Sequence, residues 1–107
     1  MQNKQAEIVY NIVRNIPKGY VLTYKAVAQL AEVSNPRQVG HILHLNPFEG
    51  EVPCHRVVSS SGKVAKTFAF GGGKAQQKLL EKEGILFIKD KVNLNIYLWN
   101  PFSRKNS

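Results

Sequence analysis

The amino-acid sequence predicts a single α/β domain that is mainly helical, with a winged helix-turn-helix and a small C-terminal β-hairpin. Apolar residues recur at helical spacing through the first half of the chain. Two of the short helices predicted there are joined by a tight polar turn, which is the arrangement of a helix-turn-helix. Near the end of the chain, two extended segments flank the polar residues 89–91, which favours a hairpin.

The first three elements are helices. Ala6, Val9, Ile12, Val13 and Ile16 form an apolar stripe, and Pro17 to Gly19 ends it. Thr23 is a good N-cap for a second, short helix over residues 24–31. Asn35 as the cap and Pro36 at the first helical position predict a third helix, which Asn46 and Pro47 end.

The second half of the chain mixes strands and one helix. Residues 52–58 are predicted to be extended and residues 63–73 to form a loop. Residues 74–83 favour a helix with Leu79 and Leu80 facing inward, stopped by Gly84. Residues 85–88 and 92–99 are predicted as the hairpin strands, since apolar and polar residues alternate in the second of them.

Length and composition limit the possible classes of protein. A chain of 107 residues, 43% hydrophobic, can bury one modest core, so we expect one domain over 1–107 with a frayed tail at 103–107. It contains no apolar run of the roughly 20 residues that a membrane span needs and no secretory signal pattern. We expect a monomer without membrane contact, in the cytoplasm, or in the nucleus if the source is eukaryotic.

The charge balance favours a polyanionic partner. Fifteen Lys and Arg residues against seven Asp and Glu residues give a net charge of +8, and nucleic acid is the leading candidate for such a surface. A basic protein with no such partner stays open on charge alone.

The chain's one cysteine, Cys54, lies between Pro53 and the polar pair His55 and Arg56. A thiol has a pKa of about 8.5 and needs a nearby base or cation to become the nucleophilic thiolate. His55 and Arg56 could act in this way. The alternative is an inert, buried cysteine, but the apolar residues on either side of this run favour a reactive thiol held in a fixed place.

Two features of the third helix point towards DNA. Arg37 lies near the helix N-terminus, where a cation is mildly disfavoured by the helix dipole, so a side chain that enters DNA would explain its position. Gly40 lies inside the same helix, where glycine costs about 1 kcal/mol relative to alanine and allows another backbone to come close. A solvated arginine and a neighbouring helix are the alternatives.

Other polar patterns are weaker. His41 and His44 lie one turn apart, but with Cys54 they lack the spacing of a known metal motif, so we expect no metal. The three glycines at 71–73 favour a flexible turn over a phosphate-binding loop. Glu83 is at the disfavoured C-terminal end of a helix; a partner such as His55 would hold it there, and a solvated surface glutamate is the alternative.

The chain resembles the O6-alkylguanine-DNA alkyltransferase family, in which PCHRV is a highly specific motif. The resemblance covers most of the sequence. It includes Ile16-Pro17-Lys18-Gly19, Thr23-Tyr24, Arg37-Gln38-Val39-Gly40, Asn46-Pro47, Pro53-Cys54-His55-Arg56-Val57-Val58 and Glu83-Gly84.

This resemblance implies a DNA repair methyltransferase that flips O6-alkylguanine out of double-stranded DNA and transfers the alkyl group irreversibly to its own cysteine. By resemblance, Cys54 is the acceptor, His55 the base acting through a water, and Glu83 the residue that orients His55. Asn46 braces the turn that carries the active site. No cofactor is implied.

The resemblance also implies a DNA-binding set and a structural set. Tyr24 presses on the target phosphate and rotates the nucleotide, and Arg37 fills the space left in the base stack. Thr23 and Gly40 belong to the same surface, which docks in the minor groove. The structural residues of the active site are Arg56 and Pro53.

The chain departs from full-length members of the family in two ways. We expect it to lack their separate N-terminal domain, since its size and ending are similar to the short alkyltransferase-like proteins, which usually carry tryptophan in place of Cys54. Residues 66–70 also do not reproduce the pocket-lining loop of the full-length proteins.

Three hypotheses of function follow. The first is a self-inactivating alkyltransferase that uses Cys54. The second is a non-catalytic lesion-binding protein that directs alkylated DNA to nucleotide excision repair proteins. The third, a transcription factor that reads sequence through its helix-turn-helix, leaves the PCHRV run unexplained.

Overall fold

The computed structural model describes residues 4–45, 51–65 and 71–101. Its helices are α1 (Lys4–Arg14), α2 (Tyr24–Ala31), α3 (Pro36–His44), a 3-10 turn (Cys54–Arg56), α4 (Gly72–Lys82) and α5 (Leu94–Tyr97). Its strands are β1 (Leu22–Thr23), β2 (Val57–Val58), β3 (Phe87–Ile88) and β4 (Lys91–Val92). None of the helices in these ranges is both long enough and apolar enough to cross a membrane.

The three N-terminal helices form as the sequence predicts. In α1, Val9, Tyr10 and Val13 are buried on one face. The Thr23 hydroxyl oxygen accepts a hydrogen bond from the Ala26 backbone N–H at 3.0 Å and caps α2. The helix-turn-helix is therefore built on α2 and α3.

The helix α3 has the predicted start. The Asn35 side-chain oxygen accepts a hydrogen bond from the Arg37 backbone N–H at 2.9 Å, with Pro36 at the first helical position. The last residue of α3 is His44. The predicted stop signal at residues 46–47 lies outside the described residues.

The described residues contain two short sheets, of which the first connects the halves of the chain. β1 and β2 pair in parallel, with Leu22 opposite Val57, while β3 and β4 pair antiparallel. On the other side of β1, Val21 forms a parallel bridge with Leu98. The segment that leads into α2 is thus fixed from both sides, by the strand after Cys54 and by the C-terminal segment.

The hairpin is present, but the predicted strand over residues 92–99 is wrong beyond Val92. The Asn93 side chain accepts a hydrogen bond from the Asn95 backbone N–H at 2.9 Å and caps the one-turn helix α5. Ile96 and Leu98, expected on a buried face, are 63% and 43% exposed. The local capping bond of asparagine overrides the short alternating pattern.

The predicted extended segment 52–58 is also only partly correct. The Cys54 backbone N–H donates to the Val52 carbonyl oxygen at 2.8 Å, and the Arg56 N–H donates to the Pro53 carbonyl oxygen at 2.9 Å. These bonds turn the chain into a 3-10 turn before β2. Cys54 therefore begins a tight turn and does not lie in a strand.

The helix α4 begins at Gly72, two residues before its predicted start. Leu80 is fully buried, whereas Leu79 is 36% exposed, so the expectation that both leucines face inward is wrong for Leu79. Consecutive helical residues point about 100° apart, and the buried stripe passes through Gln76 and Leu80.

The core has two clusters of buried side chains. The larger one includes Val9, Val13, Val27, Val39 and Cys54. The smaller one contains Val21, Val58, Leu80, Ile85 and Val92. Cys54 lies at the edge of the larger cluster with 6% of its surface exposed, which places the thiol between the helix-turn-helix and α4.

Candidate active site

The site centres on the 3-10 turn that begins at Cys54. Glu83, the C-cap of α4, approaches this turn from the end of that helix. The His55 imidazole Nε2 lies 2.8 Å from Glu83 Oε2, so the contact that the sequence suggested for Glu83 is present in the structure.

Arg56 holds the same carboxylate in a forked contact. Its Nε donates to Glu83 Oε1 at 2.9 Å, and one terminal nitrogen donates to Oε2 at 2.7 Å. The other terminal nitrogen donates to the Ile16 carbonyl oxygen, beyond the end of α1, at 2.8 Å. Arg56 therefore ties the turn both to α4 and to the N-terminal helix, consistent with its implied structural role.

The charge state of Glu83 follows from these contacts. Burial favours a raised pKa, but hydrogen bonds from Arg56 and His55, together with their positive charge, outweigh burial and lower the pKa of Glu83. An ionised carboxylate can only accept hydrogen bonds. The proton of neutral His55 must then lie on Nε2, which leaves Nδ1 able to accept a proton.

Two tyrosines interact electrostatically with Cys54. Burial raises the pKa of Tyr24 to about 12, with a smaller contribution from its interaction with Cys54. The same causes, in the same order, raise the pKa of Tyr10. Both phenols thus keep their protons at neutral pH and can donate hydrogen bonds.

Tyr10 is a residue that the sequence did not single out. It is only 9% exposed, and its hydroxyl donates to the Ile42 carbonyl oxygen in α3 at 2.9 Å. It links α1, the thiol site and the helix-turn-helix. The only local signal was an aromatic residue beside the apolar stripe of α1.

The residues implied to bind DNA lie in different environments. Arg37 is exposed at the start of α3. Thr23 is buried, and its hydroxyl caps α2, so its part in DNA binding stays a prediction. A Cβ atom added at Gly40 would meet Tyr24 Cε1 at 3.9 Å, an ordinary contact, so packing among the described residues does not require glycine there.

Gln76 on α4 is the other residue that the sequence did not identify. Its side chain is 0% exposed. The amide nitrogen donates to the carbonyl oxygens of His55 at 3.0 Å and Val57 at 2.8 Å, and the amide oxygen accepts from the Ala65 N–H at 2.8 Å. A polar residue among helix-forming residues carried no sequence signal of burial.

The remaining residues predicted from the sequence make few contacts that bear on function. His41 and His44 are exposed on α3, and no three His, Cys, Asp or Glu side chains within residues 4–45, 51–65 and 71–101 lie together as a metal site. Pro53 is half-buried and precedes the turn. Asn46 and the loop at 66–70 lie outside the described residues.

The arrangement supplies the parts of a nucleophilic site. Cys54 is a soft nucleophile, its neighbour His55 has one nitrogen able to take a proton, and Glu83 orients that imidazole. Tyr24 is a protonated donor near the thiol. This set suits attack of sulfur on an electrophilic carbon, with proton transfer to and from nearby groups.

Comparisons with known proteins point to one family. The family model "6-O-methylguanine DNA methyltransferase, DNA binding domain" matches residues 4–85. Alkyltransferase-like protein 1 of Schizosaccharomyces pombe is 39% identical over 100 residues, which cover 87% of this chain and 92% of that protein. The DNA base-flipping protein of Escherichia coli is 37% identical over 94 residues, or 86% of this chain and 71% of that protein.

The methyltransferases in this comparison are longer proteins. The methylated-DNA–protein-cysteine methyltransferase of Methanothermobacter thermautotrophicus is 43% identical over 77 residues, and the match covers 72% of this chain. This chain spans only 42% of that protein's length.

Solved structures show the same fold. S. pombe Atl1 in complex with damaged DNA containing O6-carboxymethylguanine superposes with a TM-score of 0.83 at 34% identity, covering 94% of this chain and 100% of that one. The O6-methylguanine methyltransferase of Mycobacterium tuberculosis gives a TM-score of 0.68 at 31% identity, over 78% of this chain and 50% of that one.

Proposed function

Because this chain belongs to the 6-O-methylguanine DNA methyltransferase family, we propose that it is a DNA repair protein that transfers an alkyl group from O6-alkylguanine in duplex DNA to Cys54. The protein is consumed in a single turnover. This role requires it to lie where the genome is, in the cytoplasm, or in the nucleus of a eukaryotic cell.

The observation that carries this proposal is the joined set of Cys54, His55, Arg56 and Glu83. A protein that only recognised a lesion would not need a thiol beside the oriented imidazole. Orienting a histidine in this way costs desolvation of Glu83, which the forked contact with Arg56 offsets. Such an arrangement favours proton transfer at the residue next to the thiol.

The proposed step conserves atoms and protons. The Cys54 thiol gives its proton, through a water, to His55, and its sulfur forms a bond to the alkyl carbon as the bond from that carbon to guanine O6 breaks. The electron pair of that bond stays with guanine, and the proton that His55 took up returns through water to a ring nitrogen of the base, so that His55 ends neutral. Tyr24, protonated at neutral pH, donates a hydrogen bond to the leaving base.

DNA binding is proposed to use α2 and α3. A base inside a duplex is out of reach of a buried thiol, so it must be extruded at a cost of a few kcal/mol. Arg37 is exposed at the start of α3 and offers a side chain to occupy the space that the base leaves. The net charge of +8 offsets part of this cost through phosphate contacts.

The proposal is tested by intact mass after incubation with a duplex that carries one O6-methylguanine. We expect a gain of one methylene group per protein molecule, absent with an unmodified duplex and absent in Cys54→Ala. An unchanged mass in a protein that binds the lesion duplex would contradict transfer.

A second candidate function is lesion recognition without transfer, followed by recruitment of nucleotide excision repair proteins. The match to nearly the full length of alkyltransferase-like protein 1 favours it. Under this alternative, wild type and Cys54→Ala would bind the lesion duplex equally well, and the mass of neither would change.

A further inference from the structure

The helix α4 holds His55 at two points. Near its C-terminal end, Glu83 contacts the imidazole Nε2 at 2.8 Å. Nearer its start, Gln76 donates to the His55 backbone carbonyl oxygen at 3.0 Å. Residues 76 and 83 are seven positions apart, which is about two helical turns, so they lie on the same face of α4.

The Gln76 amide is fully used. Both carbonyl oxygens that it binds, of His55 and Val57, belong to the segment that starts at Cys54. Its own oxygen accepts from the backbone of Ala65. Because the side chain is completely buried, each of these groups would lack a water partner if the amide were removed.

The start of α4 has little room to shift. A Cβ atom added at Gly73 would meet Val64 Cγ2 at 3.2 Å and the Ala65 carbonyl oxygen at 3.3 Å, closer than most real contacts. The helix therefore packs directly on residues 64–65. Gln76 joins that packed pair to the turn of Cys54 and His55.

We propose that Gln76 is a positioning residue for His55. Gln76 fixes the backbone of His55, while Glu83 orients its imidazole. Together they keep the imidazole at a constant distance from the Cys54 thiol. The catalytic consequence rests on the proposed alkyl transfer, whereas the effect on His55 does not. Gln76 does not touch the substrate and acts only through the turn.

Substitutions of Gln76 remove different sets of its hydrogen bonds. Gln76→Met keeps the shape and removes every hydrogen bond. Gln76→Lys retains donors for the two carbonyl oxygens of the turn, whereas Gln76→Glu retains the acceptor for Ala65 and, when protonated, at most one donor. Gln77→Met is the matched control, because Gln77 is the adjacent residue of the same type and bonds only Glu81, at 3.3 Å on the surface.

Two measurements separate positioning from general stability. The first is the pH titration of the His55 imidazole by NMR of the full chain labelled at its histidines, with exposed His41 and His44 as internal references. The second is the single-turnover rate of methyl transfer at saturating protein, together with the Kd for the lesion duplex. Thermal unfolding of each variant is recorded alongside.

We expect Gln76→Met to shift the titration midpoint of His55 but not those of His41 and His44. Transfer at saturation should slow by about tenfold or more, with the Kd nearly unchanged, while Gln77→Met matches wild type. Transfer by Gln76→Lys should exceed that by Gln76→Glu, because lysine supplies donors to both carbonyl oxygens of the turn and glutamic acid to at most one.

An unchanged His55 titration in Gln76→Met would overturn the proposal, as would an equal effect of Gln77→Met. If Gln76→Met does not fold, the comparison of Gln76→Glu with Gln76→Lys decides. The proposal is contradicted if the transfer rate or the His55 midpoint of Gln76→Glu is the closer of the two to wild type. If wild type transfers nothing, the proposed function fails, and the His55 titrations alone decide the role of Gln76.

Discussion

The thiol site and the helix-turn-helix surface are built in opposite ways. Around Cys54, the polar side chains of His55, Arg56, Gln76 and Glu83 bond to one another or to backbone, and within the described part of the chain no buried side-chain nitrogen or oxygen lacks a partner. On α3, by contrast, Arg37 and its polar neighbours are exposed to solvent.

This difference separates two kinds of mutational effect. The thiol site is organised by the protein before any ligand arrives, so changes there should cost stability and chemistry. In the proposed function, the α2–α3 surface gains its binding energy from contacts with DNA, so changes there should cost affinity and leave folding intact. Each prediction below tests one side of this contrast.

The largest expected effect is on stability, in Arg56→Ala. The substitution leaves the Glu83 carboxylate and the Ile16 carbonyl oxygen without their donor in a site where the Arg56 and Glu83 side chains are only 16% and 11% exposed. We expect a loss of about 3 kcal/mol in the free energy of unfolding, measured by urea denaturation. A loss no greater than that of Lys78→Ala, an exposed cation on α4, would contradict the structural role.

Next comes Glu83→Gln, which should slow methyl transfer by about 10²-fold with little change in the Kd for the lesion duplex. The amide keeps the shape but lacks the negative charge and one of the two acceptor oxygens, so the contacts with Arg56 and His55 weaken and the imidazole is held less firmly. Single-turnover kinetics at saturating protein measure this. If the Kd rose while the transfer rate at saturating protein stayed unchanged, the assignment of Glu83 to the chemical step would be wrong.

On the DNA side, Arg37→Ala should weaken binding to the lesion duplex about tenfold and slow transfer from DNA. Its reactivity towards a free alkylated base and its stability should stay close to wild type, because the side chain is exposed. Fluorescence anisotropy measures the binding and mass-based kinetics the transfer. Lys78→Ala, which removes one positive charge as Arg37→Ala does, is the control. Equal losses on both substrates would be incompatible with this role.

A smaller effect with opposite signs is expected for Gly40→Ala. Alanine should stabilise α3 by about 1 kcal/mol, since the added Cβ meets only an ordinary contact with Tyr24. The same methyl group would crowd a closely docked DNA backbone and weaken binding. Improved stability with unchanged DNA affinity would contradict a close approach of DNA at Gly40.

The smallest effect is the pH dependence that Glu83 gives to stability. The pKa of Glu83 is lowered in the folded state. Its contribution to the free energy of unfolding is therefore complete above the unfolded pKa of about 4.3 and is lost as the pH falls through the folded pKa. Urea denaturation of wild type and Glu83→Gln should therefore converge as the pH falls below about 4. If the difference in unfolding free energy between wild type and Glu83→Gln grew towards acid pH, the pKa of Glu83 would be raised in the folded state and not lowered.

The N-terminal half of the fold could be predicted because its signals are local. The apolar stripe of α1, the caps at Thr23 and Asn35, and Pro36 at the first turn each act within a few residues. The same kind of signal, Asn93 as a cap, was present before α5 and was outweighed by an alternating pattern too short to distinguish strand from helix.

The active site was only partly predictable. Cys54, His55 and Arg56 are adjacent in sequence, and Glu83 is predictable because a carboxylate at a helix C-terminus is unfavourable without a partner. Tyr10 bonds to a residue 32 positions away, and Gln76 to residues 11 to 21 positions away. Such contacts depend on how the helices pack, which local sequence does not reveal.

The central claim is that Cys54 accepts the alkyl group, and site-resolved mass spectrometry tests it most directly. The protein is incubated with a duplex carrying O6-methylguanine with a deuterated methyl group, then digested and mapped. We predict one deuterated methyl on the peptide that contains Cys54, in proportion to the lesion added. An unmodified Cys54 peptide, recovered from protein that was bound to the lesion duplex, would contradict the claim.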